Sequence, residues 1–587
     1  MRLVVPFAAL ALVVATVAAP AAGAAVRPRC LVSNQRTGLG TGSLQAAVNA
    51  ASPGDTLIVK GTCVGGTTIG KSLTIKGLSN SAFGPATLDG RGTQRVLFVD
   101  YSGAAAGGST LTLIGLTVTH GLANDGNGGG GMLTEGGSIT VRNSLIAANS
   151  SVLAGGGIEG GGGALTLVHT TVRNNTAGDR GGGISSAGTL NLVASIVSGN
   201  TATGVGGGLA LDSGAITVTG STVSRNRGAG GGGVYNTGTL DMTGSTVSGN
   251  TSTSEGGGVL DGHAGIATIT TSSIAANHAT SAGGGIANRG TLNVTGSTIG
   301  GNVSANVGGG LWNYVGTATI GSSTVSGNSA MSGGGIASTT GRVSLAAMTV
   351  SSNTATVNGG GILLAASMLD DPSEMTIDGS TITGNSAAHG GGVVDWGTLT
   401  FLGTPTTVGS NSATGDGGGV LLYPGSVVPG SVTDGCPTSA GGNVVYTPSN
   451  TPTDYVGFEC PMPVPQLATR GVENYTGSDG NPYTRYELTV TNWAGFGAYL
   501  FQPAPDLAPC GLNTNASRAW VDIFTGVTSS RIYGFCALSA PKDLTTIWFA
   551  MPRGTTRVMP LPANVYISIT DRRTGQVVTS NSVTFAP

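Results

Sequence analysis

The fold is decided by the stretch GGGVYNTGTLDMTGSTVSGN, residues 231–250, which recurs almost unchanged as GGGIANRGTLNVTGSTIGGN at residues 283–302. Each copy begins with three glycines and ends with an asparagine, and both markers return about every 25 residues. Two markers that stay in phase over so long a stretch indicate a structural repeat. The asparagines are Asn149, Asn175, Asn200, Asn226, Asn250, Asn277, Asn302, Asn328, Asn353, Asn385 and Asn411.

Apolar and polar residues alternate inside each repeat. Leu292 and Val294 are followed by Ile299 and, after the next glycines, by Leu311. This period of two indicates β-strands with one face turned inward. Three short strands and three turns per repeat describe one coil of a parallel β-helix, in which only the stack of coils buries the apolar face.

The glycines and asparagines are predicted to be architectural. Glycine accepts a positive φ and lets neighbouring coils approach closely, because it has no Cβ. The stacked asparagines are expected to form a ladder of side-chain amides from coil to coil. A phosphate-binding glycine loop is excluded, since no triplet is followed by Gly-Lys-Ser or Gly-Lys-Thr.

The repeat resembles the polymorphic outer-membrane-protein type of repeat, within the pectin-lyase-like superfamily of right-handed β-helices. That family alternates a Gly-Gly-Ala-Ile-like tetrad with Phe-x-x-Asn. This chain has GGGI, GGGV or GGGL and VSGN, IAAN or ITGN over roughly residues 125–425. It departs in having Gly for Ala and Val or Ile for Phe. Right-handedness is implied by the resemblance and by the general rule for parallel crossovers.

Five segments are predicted. Residues 1–24 have Arg2, an apolar run and small residues, which is typical of a cleaved secretory signal peptide, with an uncleaved anchor as the alternative. Residues 25–105 form an N-terminal cap, with a short helix from about Ser43, and the first coils. Residues 106–425 are the repeats, and residues 426–465 a disulfide-closed cap or linker. Residues 466–587 contain strands typical of an antiparallel sandwich of immunoglobulin or fibronectin type III kind.

Composition restricts where the chain works and what it binds. The net charge is −2 and only 9% of residues are charged, which argues against nucleic acid as a partner. No segment after the signal peptide has eighteen consecutive apolar residues, so the mature chain is not expected to be an integral membrane protein. We expect it to be secreted and either released or held non-covalently at the cell envelope.

Export permits disulfides. The six cysteines allow many connectivities, and sequence proximity alone favours three pairs. These are Cys30 with Cys63, Cys436 with Cys460, and Cys510 with Cys536.

The residues that follow the triplets stack on neighbouring coils and are the candidate ligand-binding patch. Aromatic rings beside Asn, Asp and Arg suit a sugar, which has an apolar face and hydroxyl groups around it. The alternative is that they are ordinary surface residues. The candidates are Asp212, Tyr235, Asn236, Asp261, His263, Asn288, Arg289, Trp312, Asn313 and Tyr314.

Two function classes stay open. The first is a non-catalytic, adhesin-like or glycan-binding surface protein. The second, implied by the resemblance, is a lyase or hydrolase of acidic polysaccharides, which needs acids and an Arg or Lys converging in one groove; the repeat phasing does not reveal such a cluster. No cofactor is predicted, although Asp125 with Asn127, and the insertion with Asp370 and Asp371, are compatible with Ca²⁺.

Overall fold

The computed structural model describes residues 30–101, 109–365, 373–422, 431–433, 444–445, 455–456, 462–493, 496, 498–501, 507, 517–525, 530–538, 542–553, 563–572 and 575–585. The chain is nearly all β, with 3% helix. A parallel β-solenoid of about 13 turns, with coils of about 26 residues, is followed by antiparallel sheets. The predicted all-β solenoid is confirmed. The predicted signal peptide and the acidic insertion at Asp370 lie outside the described residues.

The prediction of three strands per coil is wrong, because most repeat coils cross four parallel sheets. The additional strand comes directly after the marker asparagine and is usually two residues long; Thr251–Ser252, for example, pairs with His278–Ala279 of the next coil. Two residues are too few to show an alternating pattern, so this strand is not visible in the sequence.

The four solenoid sheets are numbered in the order in which each coil crosses them. Sheet 1 contains Leu31–Asn34, Gly40–Thr41, Thr56–Lys60, Leu73–Gly77, Thr110–Ile114, Ser138–Arg142, Ala164–Val168, Thr189–Val193, Ala215–Thr219, Thr239–Thr243, Ile266–Thr270, Thr291–Thr295, Thr317–Gly321, Arg342–Ala346, Glu374–Asp378, Thr398–Phe401 and Ser431–Thr433. Sheet 2 contains Thr62–Val64, Thr87–Asp89, Thr117–Thr119, Leu145–Ala147, Thr171–Arg173, Ile196–Ser198, Thr222–Ser224, Thr246–Ser248, Ser273–Ala275, Thr298–Gly300, Thr324–Ser326, Thr349–Ser351, Thr381–Thr383, Thr406–Gly409 and Val444–Val445.

Sheet 3 holds the short strands and sheet 4 the strands that follow the glycines. Sheet 3 contains Leu122–Ala123, Ser150–Ser151, Thr176–Ala177, Thr201–Ala202, Arg227–Gly228, Thr251–Ser252, His278–Ala279, Val303–Ser304, Ser329–Ser332, Thr354–Asn358, Ser386–Ala387 and Ser412–Ala413. Sheet 4 contains Thr67–Ile69, Leu97–Asp100, Met132–Glu135, Ile158–Gly161, Ile184–Ser186, Leu209–Leu211, Val234–Asn236, Val259–Asp261, Ile286–Asn288, Leu311–Asn313, Ile336–Ser338, Ile362–Leu364, Val393–Asp395, Val420–Leu422 and Tyr455–Val456.

The glycine triplet turns the chain between sheets 3 and 4. Gly231 has φ 59°, a left-handed conformation that favours glycine. A Cβ on Gly233 would lie 2.6 Å from the carbonyl oxygen of Gly258 in the next coil and 3.0 Å from Nδ2 of Asn250. Triplets are therefore needed both for the turn and for the close approach of coils and asparagines.

The marker asparagines form the predicted amide ladder. Nδ2 of Asn250 donates to Oδ1 of Asn277 in the next coil at 3.0 Å and to the carbonyl oxygen of Val223 in the preceding coil at 3.0 Å. The backbone N–H of Asn250 donates to the same Oδ1 at 3.0 Å. Each interior asparagine repeats this pattern while buried, so its amide is satisfied by four hydrogen bonds.

A second ladder, of hydroxyl groups, lies at the turn between sheets 1 and 2. The backbone N–H of Ser221 donates to Oγ of Ser245 at 3.1 Å, and that of Ser245 to Oγ of Ser272 at 3.1 Å. These side chains are buried, and each hydroxyl also donates to a carbonyl two residues earlier, as Ser245 does to Thr243. The ladder satisfies backbone groups at a turn that would otherwise be unpaired.

The N-terminal cap matches its prediction. The helix Leu44–Ala50 begins after Ser43, whose side chain accepts a hydrogen bond from the N–H of Ala46, and it buries Leu44, Ala47 and Val48. Cys30 and Cys63 form the predicted disulfide. Cys536 is also disulfide-bonded, while Cys436, Cys460 and Cys510 lie outside the described residues.

The described residues of the C-terminal part form two antiparallel sheets and two short helices, Ala498–Phe501 of 3-10 type and Lys542–Thr545. Sheets 5 and 6 are in contact, because the ring of Tyr486 packs edge-on against that of Phe585 at 5.1 Å. Sheet 5 consists of Leu467–Thr476, Pro482–Val490 and Ile547–Pro552. Sheet 6 consists of Ala519–Thr525, Ser530–Cys536, Ala563–Asp571, Val577–Thr579 and Val583–Phe585.

Candidate functional site

The candidate residues lie on or next to sheet 4, where their strands stack in register. Val234–Asn236 pairs with Val259–Asp261, which pairs with Ile286–Asn288 and then with Leu311–Asn313. In each strand the first and third side chains point into the solenoid core and the middle one points outward, as the period of two requires. Adjacent candidates in the sequence are therefore on opposite faces of the sheet.

Four candidates form an inner polar column: Asn236, Asp261, Asn288 and Asn313, each with 0% exposure. Nδ2 of Asn236 donates to Oδ1 of Asp261 at 2.6 Å, and Nδ2 of Asn288 to Oδ1 of Asn313 at 2.7 Å. The column therefore consists of two hydrogen-bonded pairs inside the solenoid. Its side chains stabilise the coils and are not available to an external ligand.

Asp261 is the ionisable member of that column. Burial raises its pKa to about 7, although the hydrogen bond from Asn236 opposes the change. Its Oδ2 is buried without a hydrogen-bond partner. Asp395, further along the same face, is likewise fully buried with a pKa raised to about 7.

A closed stack on the outer face of sheet 4 contains Trp312, Tyr314 and Arg289. Together with Glu255, these residues are called the Arg289 cluster. Trp312 is only 8% exposed, and its ring lies 5.1 Å from that of Tyr314, nearly parallel. The guanidinium of Arg289 lies 5.6 Å and 5.2 Å from the two ring centres. Glu255 accepts hydrogen bonds from Arg289 at 2.7 Å and 3.1 Å.

The Arg289 cluster covers a second apolar core outside the solenoid. Nε1 of Trp312 donates to Oγ1 of Thr339 at 3.1 Å, which satisfies its one polar group. The ring faces that a sugar would need are already in contact with protein. This apolar core consists of Leu260, Ala282, Ala287, Trp312, Ala337, Leu363, Val394 and Leu421.

A second, more exposed group of side chains lies on the same face, in coils nearer the N-terminus. We call it the Arg180 cluster, and it consists of Glu159, Asp179, Arg180, Asp212 and Tyr235. Arg180 bonds Asp212 at 2.7 Å and Asp179 at 3.0 Å. The side chains of these three residues are 40%, 32% and 48% exposed, respectively. Two sequence candidates, Asp212 and Tyr235, thus meet three residues that the sequence reasoning did not select.

The charged groups of the Arg180 cluster change the pKa values of their neighbours. Burial raises the pKa of Glu159, and the charge of Asp212 raises it further, while Ser185 and Arg180 lower it. Oε2 of Glu159 is buried without a hydrogen-bond partner. Burial also raises the pKa of Tyr235, again with a contribution from Asp212. A buried carboxyl with a raised pKa beside an ion pair is an arrangement found at functional sites.

Two of the missed residues carry a signal in the sequence, because Arg180 directly precedes a glycine triplet and Glu159 is the second residue after one. The position before the triplet also stacks from coil to coil, as the bridges between Glu255 and Ala282 and between Ala282 and Val307 demonstrate. The column of residues directly before the triplets, together with the column after them, therefore places Arg180 next to sheet 4.

The remaining candidates are placed as follows. His263 is exposed in the turn after Asp261. Asp125 is bound by Arg95 at 2.8 Å and 3.0 Å, so a cation there would compete with a guanidinium. Over the described ranges, no group of three or more His, Cys, Asp or Glu side chains is arranged to hold a metal ion. Nor does any described helix combine the length and hydrophobicity needed to cross a membrane.

No protein family, no curated protein and no solved structure matches the chain.

Proposed function

We propose that the protein is an exported, non-catalytic β-solenoid that binds glycans through the Arg180 cluster. Export is supported by the signal-like residues 1–24 and by the disulfide between Cys30 and Cys63, which forms in oxidising compartments. The glycine and asparagine repeat supports membership of the pectin-lyase-like superfamily with polymorphic outer-membrane-protein repeats. An adhesin-like role at the cell envelope or beyond it is consistent with such a rod.

The observation that carries this proposal is the partly exposed ion pair of Arg180 and Asp212 beside Tyr235, whose ring packs partly against the second apolar core. A phenol ring offers an apolar face to the C–H groups of a sugar. The carboxylate accepts hydrogen bonds from sugar hydroxyls, and the guanidinium donates them. The ion pair also fixes the orientation of both charged groups before a ligand arrives, which reduces the entropy lost on binding.

A second candidate function is hydrolysis of a glycosidic bond at the same cluster. Glu159, with its raised pKa, has the property of a general acid, and Asp212 is an acid held next to it by Arg180. This is the convergence of acids and arginine that distinguishes a polysaccharide-active enzyme from a binding protein. We rank it second because Arg180 engages Asp212 directly and leaves one carboxylate oxygen for catalysis.

The test is to place the mature chain on an array of plant, microbial and host glycans, with and without Ca²⁺, and to assay the same glycans for cleavage. The proposal predicts that at least one glycan binds without being cleaved, and that the binding of this glycan is lost in Tyr235→Ala and kept in Tyr314→Ala. Reducing-end products that disappear in Glu159→Gln would support hydrolysis instead. Absence of binding to every glycan would leave the solenoid as a structural rod and contradict the proposal.

A further inference from the structure

A cavity of about 590 Å³ lies in the C-terminal part of the chain and is lined by residues of sheets 5 and 6 and of the helix Lys542–Thr545. Its walls are the edge strands Ile547–Pro552 and Ser530–Cys536, and the helix Lys542–Thr545 joins them. Within the described residues, the first strand pairs only with Pro482–Val490 and the second only with Ala519–Thr525. The volume falls in the range of about 300–1,000 Å³ that is typical of small-molecule sites.

Two large aromatic side chains stand at this cavity with unusual exposure. Tyr533 is 55% exposed and Trp548 is 46% exposed, although both line the cavity. The guanidinium of Arg485 lies 4.9 Å from the Trp548 ring centre, and the ring of Phe535 stacks on Tyr533 at 6.2 Å. Both rings are therefore supported by the protein while they keep a surface in solvent.

Polar groups accompany the rings. The ammonium of Lys542, which lines the cavity, has no partner within the described part of the chain. The Thr546 hydroxyl donates to the Lys542 carbonyl at 2.7 Å and keeps its lone pairs for an incoming donor. A cation that donates three hydrogen bonds and a hydroxyl that accepts one complement the hydroxyl groups of a sugar.

We infer that this cavity is a saccharide-binding site, separate from the Arg180 cluster, in which Tyr533 and Trp548 stack on sugar rings and Lys542 bonds their hydroxyls. An added peptide strand is the other occupant to consider, since two strand edges are open among the described residues. The saccharide is favoured because the lining combines ring faces with hydrogen-bonding side chains, whereas strand addition uses backbone groups. The inference does not depend on the function proposed for the solenoid.

The experiment titrates the full mature chain with hexasaccharides of glucose, N-acetylglucosamine and galacturonic acid by calorimetry. At least one should bind, and its affinity should fall about tenfold or more in Trp548→Ala and in Tyr533→Ala, because aromatic anchors dominate binding energy. Tyr475→Ala, which changes an aromatic residue outside the cavity, should bind like the wild type. Circular dichroism confirms that each variant folds.

Arg180→Ala separates this site from the solenoid site, since it should leave binding that depends on Trp548 unchanged. Equal affinity of the wild type and both cavity variants, or no binding of any hexasaccharide, would overturn the inference. Binding of an extended Val-Thr peptide in place of all three sugars, lost in Trp548→Ala, would also overturn it and assign the open edges to strand addition.

Discussion

The Arg180 and Arg289 clusters occupy the same face of sheet 4 and differ in what surrounds the arginine. Arg180 bonds two aspartates and is 40% exposed, whereas Arg289 bonds one glutamate, lies over two aromatic rings and is 27% exposed. The ring of Trp312 contacts Arg289 from the neighbouring coil, whereas no aromatic ring lies against Arg180 among the described contacts. One repeat scaffold thus supports an open polar site and a closed packing cluster a few coils apart.

The largest expected effect is on the closed cluster. Trp312→Ala should destabilise the solenoid by about 3–5 kcal/mol, because a nearly buried ring is lost from the second apolar core and Arg289 loses its support. The measurement is the free energy of unfolding from urea titration followed by circular dichroism. Tyr235→Ala, the aromatic change in the open cluster, should cost about 1 kcal/mol. Equal losses would remove the distinction between the clusters.

The next effect is a pH dependence that comes from Asp261 inside the solenoid. Its pKa is about 7 when folded and close to the ordinary aspartate value when unfolded. The folded state therefore binds the proton more tightly, and its contribution to stability falls as the pH rises from about 4 to about 7, by roughly 1 kcal/mol per pH unit. Asp261→Asn should remove this slope, since the pair Asn288–Asn313 shows that an amide fits the column.

The control for this prediction is Asp241→Asn, an exposed aspartate of the neighbouring coil. Unfolding free energies of both variants are measured between pH 4 and pH 8. Asp395 contributes its own pH dependence of stability in every variant. The quantity to follow is therefore the difference in unfolding free energy between Asp261→Asn and the wild type. A difference that does not change with pH would mean that Asp261 is already ionised in the folded state.

A smaller loss is expected from the asparagine ladder. Asn277→Ala leaves its hydrogen-bond partners in both neighbouring coils unsatisfied and should cost about 1–3 kcal/mol. Asn306, an exposed asparagine of the next coil, supplies the control, for which Asn306→Ala should change stability by less than about 0.5 kcal/mol. If both variants unfold at the same urea concentration, the ladder contributes nothing to stability.

The smallest stability effect is expected at the open cluster. Arg180→Ala should cost less than about 1 kcal/mol, because its ion pairs are partly exposed and screened. Arg289→Ala should cost more, since it uncovers Trp312 and leaves Glu255 in a partly buried position without its cation. Thermal unfolding of the two variants side by side measures the difference, which would be absent if both arginines were ordinary surface residues.

The sequence predicts the solenoid and its asparagine ladder because a periodic marker such as Asn250 reports on every coil at once. It does not predict sheet 3, whose strands, such as Thr251–Ser252, are too short to show a pattern. Alternation already implies that Tyr235 and Asn236 point in opposite directions, yet which of them faces water depends on the packing of whole coils. The contact between Arg180 and Asp212 depends on the register between neighbouring coils. The repeat length alone defines this register only to within a residue or two.

We propose the Arg180 cluster as the glycan site, whereas the Arg289 cluster packs over the second apolar core. The most direct test uses one glycan that binds Trp548→Ala as tightly as the wild type, so that the C-terminal cavity does not contribute. Calorimetry titrates this glycan into Arg180→Ala and Arg289→Ala, both verified as folded. The account predicts that affinity is lost in Arg180→Ala and retained in Arg289→Ala. Retained affinity in Arg180→Ala with loss in Arg289→Ala would contradict it and move the site to Trp312 and Tyr314.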